Sequence, residues 1–562
     1  MAELEKSGSS SQNATNTEKS TRRSTSDTPS ARSIVPLFIT LMVIMLLASL
    51  SQMVLSSALP TIVGELHGVE HMMWVTTAYL LAATIMMPIY GNVSDLLGRK
   101  PVLIGAITLF LVGSIIGGVA PTMEWLIVAR LVQGLGGGGL MILSQAAIAD
   151  VVPARDRGKY MGIMGGVFAF SSVAGPLLGG WLTEGPGWRW AFWMNVPLGA
   201  IALVATIVLL KLPKRAQDER PKLDYLGMAL LAIATSCLIL LATWGGSTYE
   251  WVSPQIIGLG IGVVVFGALF VWAEFKAESP IIPMSMFKKR NFTLPTIAGL
   301  LIAVPMFGVI GYMPTYFQMA VGASPQEAGF LMIPMMASML IVSIIIGALI
   351  SKTGRYKIWP LIGMIVLAAG ITGMSFITVE SPVWVISIGL AMIGIGLGMS
   401  QQVLTLIVQN TFPNRIVGTA TAANNYFRQV GGSLGSAIVG SLFVGRLSSI
   451  LSQDLPAGST PNDGVNSLTP EIVNSLPEGI RSIVVNGYNE ALMPIFLYMV
   501  PLIIAAIIMM VFVQVVPLAT KIERDEVVPE SLADGHLPVA TGAIHIKENI
   551  TYGEAEERGV DK

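Results

Sequence analysis

Charge is what this chain has least of. Only 12% of its 562 residues are Asp, Glu, Lys or Arg, about half the share of an ordinary soluble domain. Mean hydropathy is +0.69 and 53% of the residues are hydrophobic. A core surrounded by water could not hide that much apolar surface, so the expected solvent is lipid. Cysteine is also scarce: Cys237 stands alone, which excludes a framework of disulfides within the chain. The four histidines form no pair with metal-ligand spacing, and no activated Ser or Cys site and no Walker-type phosphate loop appears. A membrane-embedded enzyme and direct drive by ATP are therefore set aside. The expectation carries no cofactor, no metal and no nucleic-acid partner.

What the chain does have is long apolar runs. A crossing needs about 20 apolar residues. Fourteen such runs centre near residues 46, 81, 111, 137, 171, 200, 234, 264, 302, 338, 368, 395, 430 and 503. Fourteen crossings put both termini on one side. If that side is the cytoplasm, 28 of the 33 Lys and Arg lie there, the bias that orients membrane proteins. Arg189, Arg446 and Arg481 fall outside, and Arg130 and Arg428 fall within runs. Residues 1–33, rich in Ser, Thr and charge, read as a disordered cytoplasmic tail. No cleavable signal precedes the first run.

An internal repeat organises the rest. "GNVSDLLGRK" (91–100) and "GALISKTGRYK" (347–357) share Gly-x6-Gly-Arg followed by Lys, each after an even-numbered run. Weak symmetry of this kind marks transporters built from repeated bundles. The expected fold is all-α and polytopic, with six-helix bundles over 34–212 and 290–516. Helices 7–8 with their cytoplasmic loops (213–289) are inserted between them. A polar external loop covers 446–490 and a cytoplasmic tail 517–562.

Several stretches then stand out in order: "WVTTAYLL" (74–81), "GNVSDLLGRKPVL" (91–103) and "LIVARLVQGLGGGGL" (126–140). "VFAFSSVAGPLLGGWL" (167–182), "WRWAFWMNVPLG" (188–199) and "YFRQVGGSLGSAI" (426–438) follow. With these stretches, residues 34–516 resemble the major facilitator superfamily. More narrowly, they resemble the fourteen-helix drug:H+ antiporter family of the QacA/EmrB type. The resemblance implies an MFS fold and alternating access, with multidrug export by proton antiport across the plasma membrane. It also implies a cytoplasmic latch of Gly91, Asp95, Gly98, Arg99 and Asp150, the alternative being an ordinary solvated loop. Gly166, Gly175, Pro176 and Gly179 match the fifth-helix antiporter signature, where Pro176 removes a backbone hydrogen bond and kinks the helix. Generic close packing would use the same residues.

Arg130 lies six residues past Glu124, about 9 Å along a helix. The resemblance gives it a part in coupling, and snorkelling to the outer surface is the alternative. Arg428 lies about eleven residues, roughly 16 Å, into its run and is expected to face a wet cavity with Gln401, Gln402, Asn424, Asn425 and Gln429. Gln52, Gln133, Gln145, Gln318, Gln401, Asn424 and Asn425 are candidates for the substrate path, or for interhelical hydrogen bonds of about 0.6 kcal/mol each. Trp188 to Trp193 can form an interfacial aromatic belt.

One departure bears on function. The antiporters carry an aspartate in their first helix, before an Ala-Leu-Pro ending; here "LSQMVLSSALP" (50–60) has Ser51. No acidic residue is expected near the middle of any run. Glu327, Asp150 and Asp224 are placed at the ends of runs and the rest in loops and tails. Protons would load at Asp95, Asp150, Glu65 or Glu327. With Arg130 and Arg428 as the fixed charges, neutral or anionic substrates are favoured over cationic dyes. The expected partners are a small-molecule substrate, protons and the bilayer, around a monomer. The alternative reading is a dedicated exporter of one metabolite, such as a polyamine, amino acid or lipid, with weaker or different ion coupling.

Overall fold

The computed structural model describes residues 31–67, 71–210, 223–246, 248–454, 473 and 476–520. Among these residues fourteen helices are long and apolar enough to cross a bilayer, and each expected centre lies in one of them. In chain order they are α1 Ala31–Glu65, α2 Met72–Leu97, α3 Arg99–Gly118, α4 Met123–Val151, α5 Ala154–Glu184, α6 Trp190–Leu209 and α7 Tyr225–Trp244. There follow α8 Pro254–Lys276, α9 Arg290–Met319, α10 Gln326–Thr353, α11 Ile358–Ser375, α12 Val383–Thr411, α13 Val417–Asp454 and α14 Glu478–Val511. Lipid offers a backbone no hydrogen-bond partner, so apolar runs of this length close their hydrogen bonds within themselves.

Local chemistry sets several of the ends. The Asp224 carboxylate accepts from Gly227 N at 2.8 Å and caps α7, and Ser253 followed by Pro254 opens α8. Ser324 and Glu327 form a reciprocal capping box before α10. Gly98 and Gly354, the second glycines of the internal repeat, take φ of +92° and +71°. A side chain would be strained at either turn.

Two apolar cores account for most of the burial. Leu41, Ile44, Leu103, Phe110, Leu143 and Met161 belong to one, drawn from α1–α6. Ile302, Met335, Leu367, Leu397, Leu492 and Phe496 belong to the other, drawn from α9–α14. Met87, Ile142 and Ala422 form a small cluster where the two meet. α7 and α8 pack on each other, and α7 reaches α2 and α13 through the Trp74–Trp244 ring contact and a 2.9 Å Thr235–Tyr426 hydroxyl pair. α8 shows Ile261, Val264, Trp272 and Phe275 on its outer face, as a helix bounded by lipid does.

Boundaries differ from the sequence expectation in two places. Helix continues to Asp454 in α13 and resumes at Glu478 in α14, so both ends of the loop expected over 446–490 are helical. Leu518 is buried in the second core, so the tail expected from 517 begins farther on. The first 30 residues, residues 455–472 and 474–475 of the expected loop, and residues 521–562 lie outside the described residues.

Candidate functional site

The latch residues converge where α2 ends, α3 begins and α4 ends. Arg99 is 3% exposed. It pairs with Asp95 at 2.6 Å and with Asp150 at 3.2 Å, and donates to Ser94 Oγ at 2.6 Å. The second Asp95 oxygen accepts from Thr419 N at 2.6 Å and from Thr419 Oγ1 at 2.8 Å. Thr419 stands in the first turn of α13, where free backbone donors and the helix dipole favour an anion. One carboxylate therefore neutralises its own half's arginine and caps a helix of the other half. Glycine makes this approach possible. A β-carbon on Gly91 would run into Ala422 and the backbone of Gly418, and one on Gly418 would run into the Arg99 guanidinium.

Sequence reasoning missed Arg157, which it counted only as cytoplasmic charge. The residue is 4% exposed and donates to Ala149 O and Val152 O at the end of α4. A third donor reaches Asn414 Oδ1, before α13, at 3.2 Å. A buried guanidinium this close to a helix C-terminus is favoured by its carbonyls. It is a second tie between the halves at the same level.

A parallel junction joins α5 to α10. β-Carbons on Gly158 and Gly347 would each run into the other's backbone, and Ser343 Oγ donates to Gly162 O at 3.2 Å. Arg155 donates to Ser351 O and Lys352 O, both at 3.3 Å. The fifth-helix signature divides between two surfaces. Gly166 lies against Leu340 of α10, Gly175 against Met53 of α1, and Gly179 is buried.

Arg130 does not snorkel. It is 2% exposed, about 10 Å along α4. It donates to Val75 O and Gln133 Oε1 and lies over the Tyr79 ring at 4.1 Å. The Gln133 amide nitrogen in turn donates to Ser51 Oγ at 3.1 Å and Ser114 Oγ at 2.9 Å, and Asn195 donates to Ser51 at 3.0 Å. The position that the resemblance assigns to an acid is therefore a neutral node in a buried network. Gln133 belongs to that network and not to an open path.

The cavity group expected around Arg428 separates in the structure. Successive residues on a helix point about 100° apart. Asn424 accordingly turns to Thr405 within its own half, and Asn425 turns across to Gln145 Oε1 of α4 at 3.0 Å. Gln401 packs on Met306, Gln402 sits beside Gly165 at the α5–α10 junction, and Gln318 donates to Pro314 O one turn back. Gln52 and Gln429 are half-buried. Arg428, half-buried, donates to Asn425 Oδ1 one turn beyond the Asn425–Gln145 bond.

The acids also fall differently. Glu274, counted among loop residues from sequence, stands in the last turn of α8 and is 3% exposed. Its oxygens accept from Ile281 N and Ile282 N at 3.2 and 3.0 Å. The neighbouring Pro280 O accepts from Asn92 of the latch motif at 2.9 Å. Glu327 is taken up in its capping box. Glu65 accepts from Trp188 Nε1 at 2.7 Å and Arg189 Nη1 at 2.5 Å. Those two donors hold its carboxyl below the usual glutamate range, Arg189 foremost. Trp188 is 1% exposed and Trp190 is 51% exposed, so only part of the expected aromatic belt faces outward.

A family model described as Major Facilitator Superfamily matches residues 41–436. An uncharacterized MFS-type transporter of Mycobacterium tuberculosis is 39% identical over 507 residues, 90% of this chain and 72% of that protein. The multidrug transporter protein MdtP of Bacillus subtilis is 35% identical over 415 residues, 74% of this chain and 76% of its own length. Among solved structures, the human organic anion transporter MFSD10 shares the fold with a TM-score of 0.58. It is 13% identical, over 84% of this chain and 99% of that one.

Proposed function

The chain belongs to the major facilitator superfamily, and from that premise we propose that it exports small amphipathic compounds across the plasma membrane by proton antiport, its two halves alternating access to a central path. That it is a multi-pass membrane transporter follows from the family and its fourteen apolar helices. Export is supported by the fifth-helix glycines and by the multidrug transporter among its relatives.

The observation that carries the reading is the double use of Asp95. Its carboxylate is bound at once to buried Arg99 and to the N-terminus of α13 in the other half. A proton on Asp95 would remove the charge that both partners need, leaving Arg99 to Asp150 alone and Thr419 without its cap. Removing one partner of a buried ion pair costs about 3–5 kcal/mol, ample to release a junction between two bundles. Glu65 and Glu327 each bind partners of their own half, whereas Asp95 and Asp150 share the arginine beside the junction, so a proton there would act on the contact between the halves.

Arg130 spends its charge inside the first half, so Arg428 is the cation left to the path. Neutral or anionic cargo fits that charge better than a cationic dye. The test is efflux in everted membrane vesicles energised by a pH gradient, comparing neutral, anionic and ethidium probes. Asp95→Asn is expected to cut gradient-driven transport of the preferred probe at least tenfold while the protein still folds. Full activity of that variant, or ethidium as the best substrate, would count against the corresponding half of the reading.

A further inference from the structure

The internal repeat extends further than its glycine-arginine stretch. Pro153-Ala-Arg155-Asp-Arg-Gly158 at the start of α5 and Pro413-Asn-Arg415-Ile-Val-Gly418 leading into α13 share Pro-x-Arg-x-x-Gly. The glycines closing the two stretches meet the first glycines of the other repeat. Gly418 lies against Gly91, and Gly158 lies against Gly347. Counting back three residues from each proline places Asn410, at the end of α12, where Asp150 stands at the end of α4.

The two corners are built with different chemistry. Asp150 clasps the buried Arg99. In the other half Arg355, which matches Arg99, is exposed, and Asn410 holds a peptide instead. Its Oδ1 accepts from Ala519 N and its Nδ2 donates to Pro517 O, both at 3.4 Å. Those atoms belong to the non-helical segment that follows α14. The same segment is gripped twice more. Tyr356 Oη donates to Val516 O at 2.9 Å and accepts from Val516 N at 2.7 Å, and Asn291 makes both bonds to Gln514 at 2.9 Å. Burial pushes the Tyr356 phenol up, so it remains a donor at any physiological pH. Val513 and Leu518 anchor the segment in the second core. Its last strong bond crosses to the first half: Ala519 O accepts from Arg155 N at 3.0 Å.

We propose that residues 512–519 form a strap that serves the second half as its cytoplasmic latch. The strap takes the place of the buried ion pairs of the first half and must release Arg155 before the α5–α10 junction can part. Three side chains fix it to the ends of α9, α11 and α12, so it moves with the second half. The bond to Arg155 is then the one that breaks when the halves separate. Because it is made between neutral groups, this latch holds no charge, whereas the Asp95 corner is made of ion pairs. On the antiport reading above, a proton would act at one junction only, and the other would set a fixed threshold. The proposal rests on the alternating-access reading above.

The test uses full-length protein in liposomes with Cys237→Ser and spin labels at Lys159→Cys and Lys352→Cys, two exposed positions on opposite sides of the junction. Arg155→Ala keeps the N–H and loses the side-chain bonds to Ser351 and Lys352. Arg155→Pro loses the N–H as well, in a first helical turn where proline is tolerated. The long-distance population is expected to be about fivefold larger in Arg155→Pro than in Arg155→Ala, the effect of one ordinary hydrogen bond. Asn410→Ala, which leaves Arg155 untouched, should enlarge it in the same direction. Equal populations in the two Arg155 variants, with Asn410→Ala like wild type, would overturn the strap. Asp95→Asn separates the failures. If it too leaves a single short distance, the halves do not part at this face and the alternating-access reading falls; if it opens the junction while the strap variants do not, only the strap falls.

Discussion

Single residues decide how charge is handled inside this protein. Ser51 is the clearest case. Two amide donors, from Gln133 and Asn195, already point at its hydroxyl, and Arg130 is one hydrogen bond further along. A carboxylate at this place would meet donors on two sides and a cation nearby. Ser51→Asp is therefore expected to be tolerated, because a buried carboxylate is stable where donors and a cation already surround it. A melting temperature several degrees below that of the unmodified protein would mean that the network cannot hold the charge. The sequence showed the missing acid and the two intramembrane arginines. It did not show that Arg130 is bonded by a carbonyl, an amide and a ring of its own half while Arg428, half-buried, bonds to Asn425, since that depends on what each guanidinium meets. Asn424 and Asn425 make the same point: adjacent in sequence, they serve different halves. Arg157 and Glu274 were hidden because a charge at the end of a helix looks solvated until a neighbouring segment is seen to cover it.

At the scale of elements, apolar length and the glycine, proline and serine punctuation made the fourteen helices legible. Lipid leaves few alternatives to a helix, so composition alone carries unusual weight. Less legible were the segments outside the bilayer, where water permits many conformations and tertiary contacts choose among them. The stretch after α8 is one such segment. Both oxygens of Glu274 are bonded to backbone amides there, and the turn they hold passes its next carbonyl to Asn92. The inserted pair α7–α8 is by this route tied to the latch motif itself. Glu274→Gln would remove the charge and turn an amide donor toward a backbone N–H. Hydrogen bonds to charged groups contribute about 1.5–3 kcal/mol, so the purified protein is expected to melt several degrees lower. Gradient-driven transport should also weaken, since Asn92 loses a fixed partner. An unchanged melting temperature would mean that the clasp contributes nothing measurable.

For the whole molecule, the repeat seen in sequence becomes a rule of assembly. Each half offers the glycine of its Gly-x6-Gly-Arg stretch to the first turn of a helix in the other half, Gly91 to α13 and Gly347 to α5. The cross-half bonds of Asp95, Arg155 and Arg157 lie at that same end of the bundles, and Asn425–Gln145 sits a turn or two deeper. Hydrogen bonds between the halves that gather toward one end suit a rocking pair of bundles, because packed interfaces switch between discrete arrangements and do not stretch continuously. If cargo moves by such rocking, fixing this face must stop it. Ser351 Oγ lies 3.4 Å from Asp156 O across the α5–α10 junction. In a Cys237→Ser background, Asp156→Cys with Ser351→Cys should be joined by a short thiol cross-linker. Efflux is expected to fall by at least tenfold on cross-linking and to return when the linker is cleaved. Each single-cysteine variant should keep its rate under the same treatment. Cargo that still passed with the junction covalently closed would require a path through the protein that needs no separation of the halves, and the shared glycines would then be packing features alone.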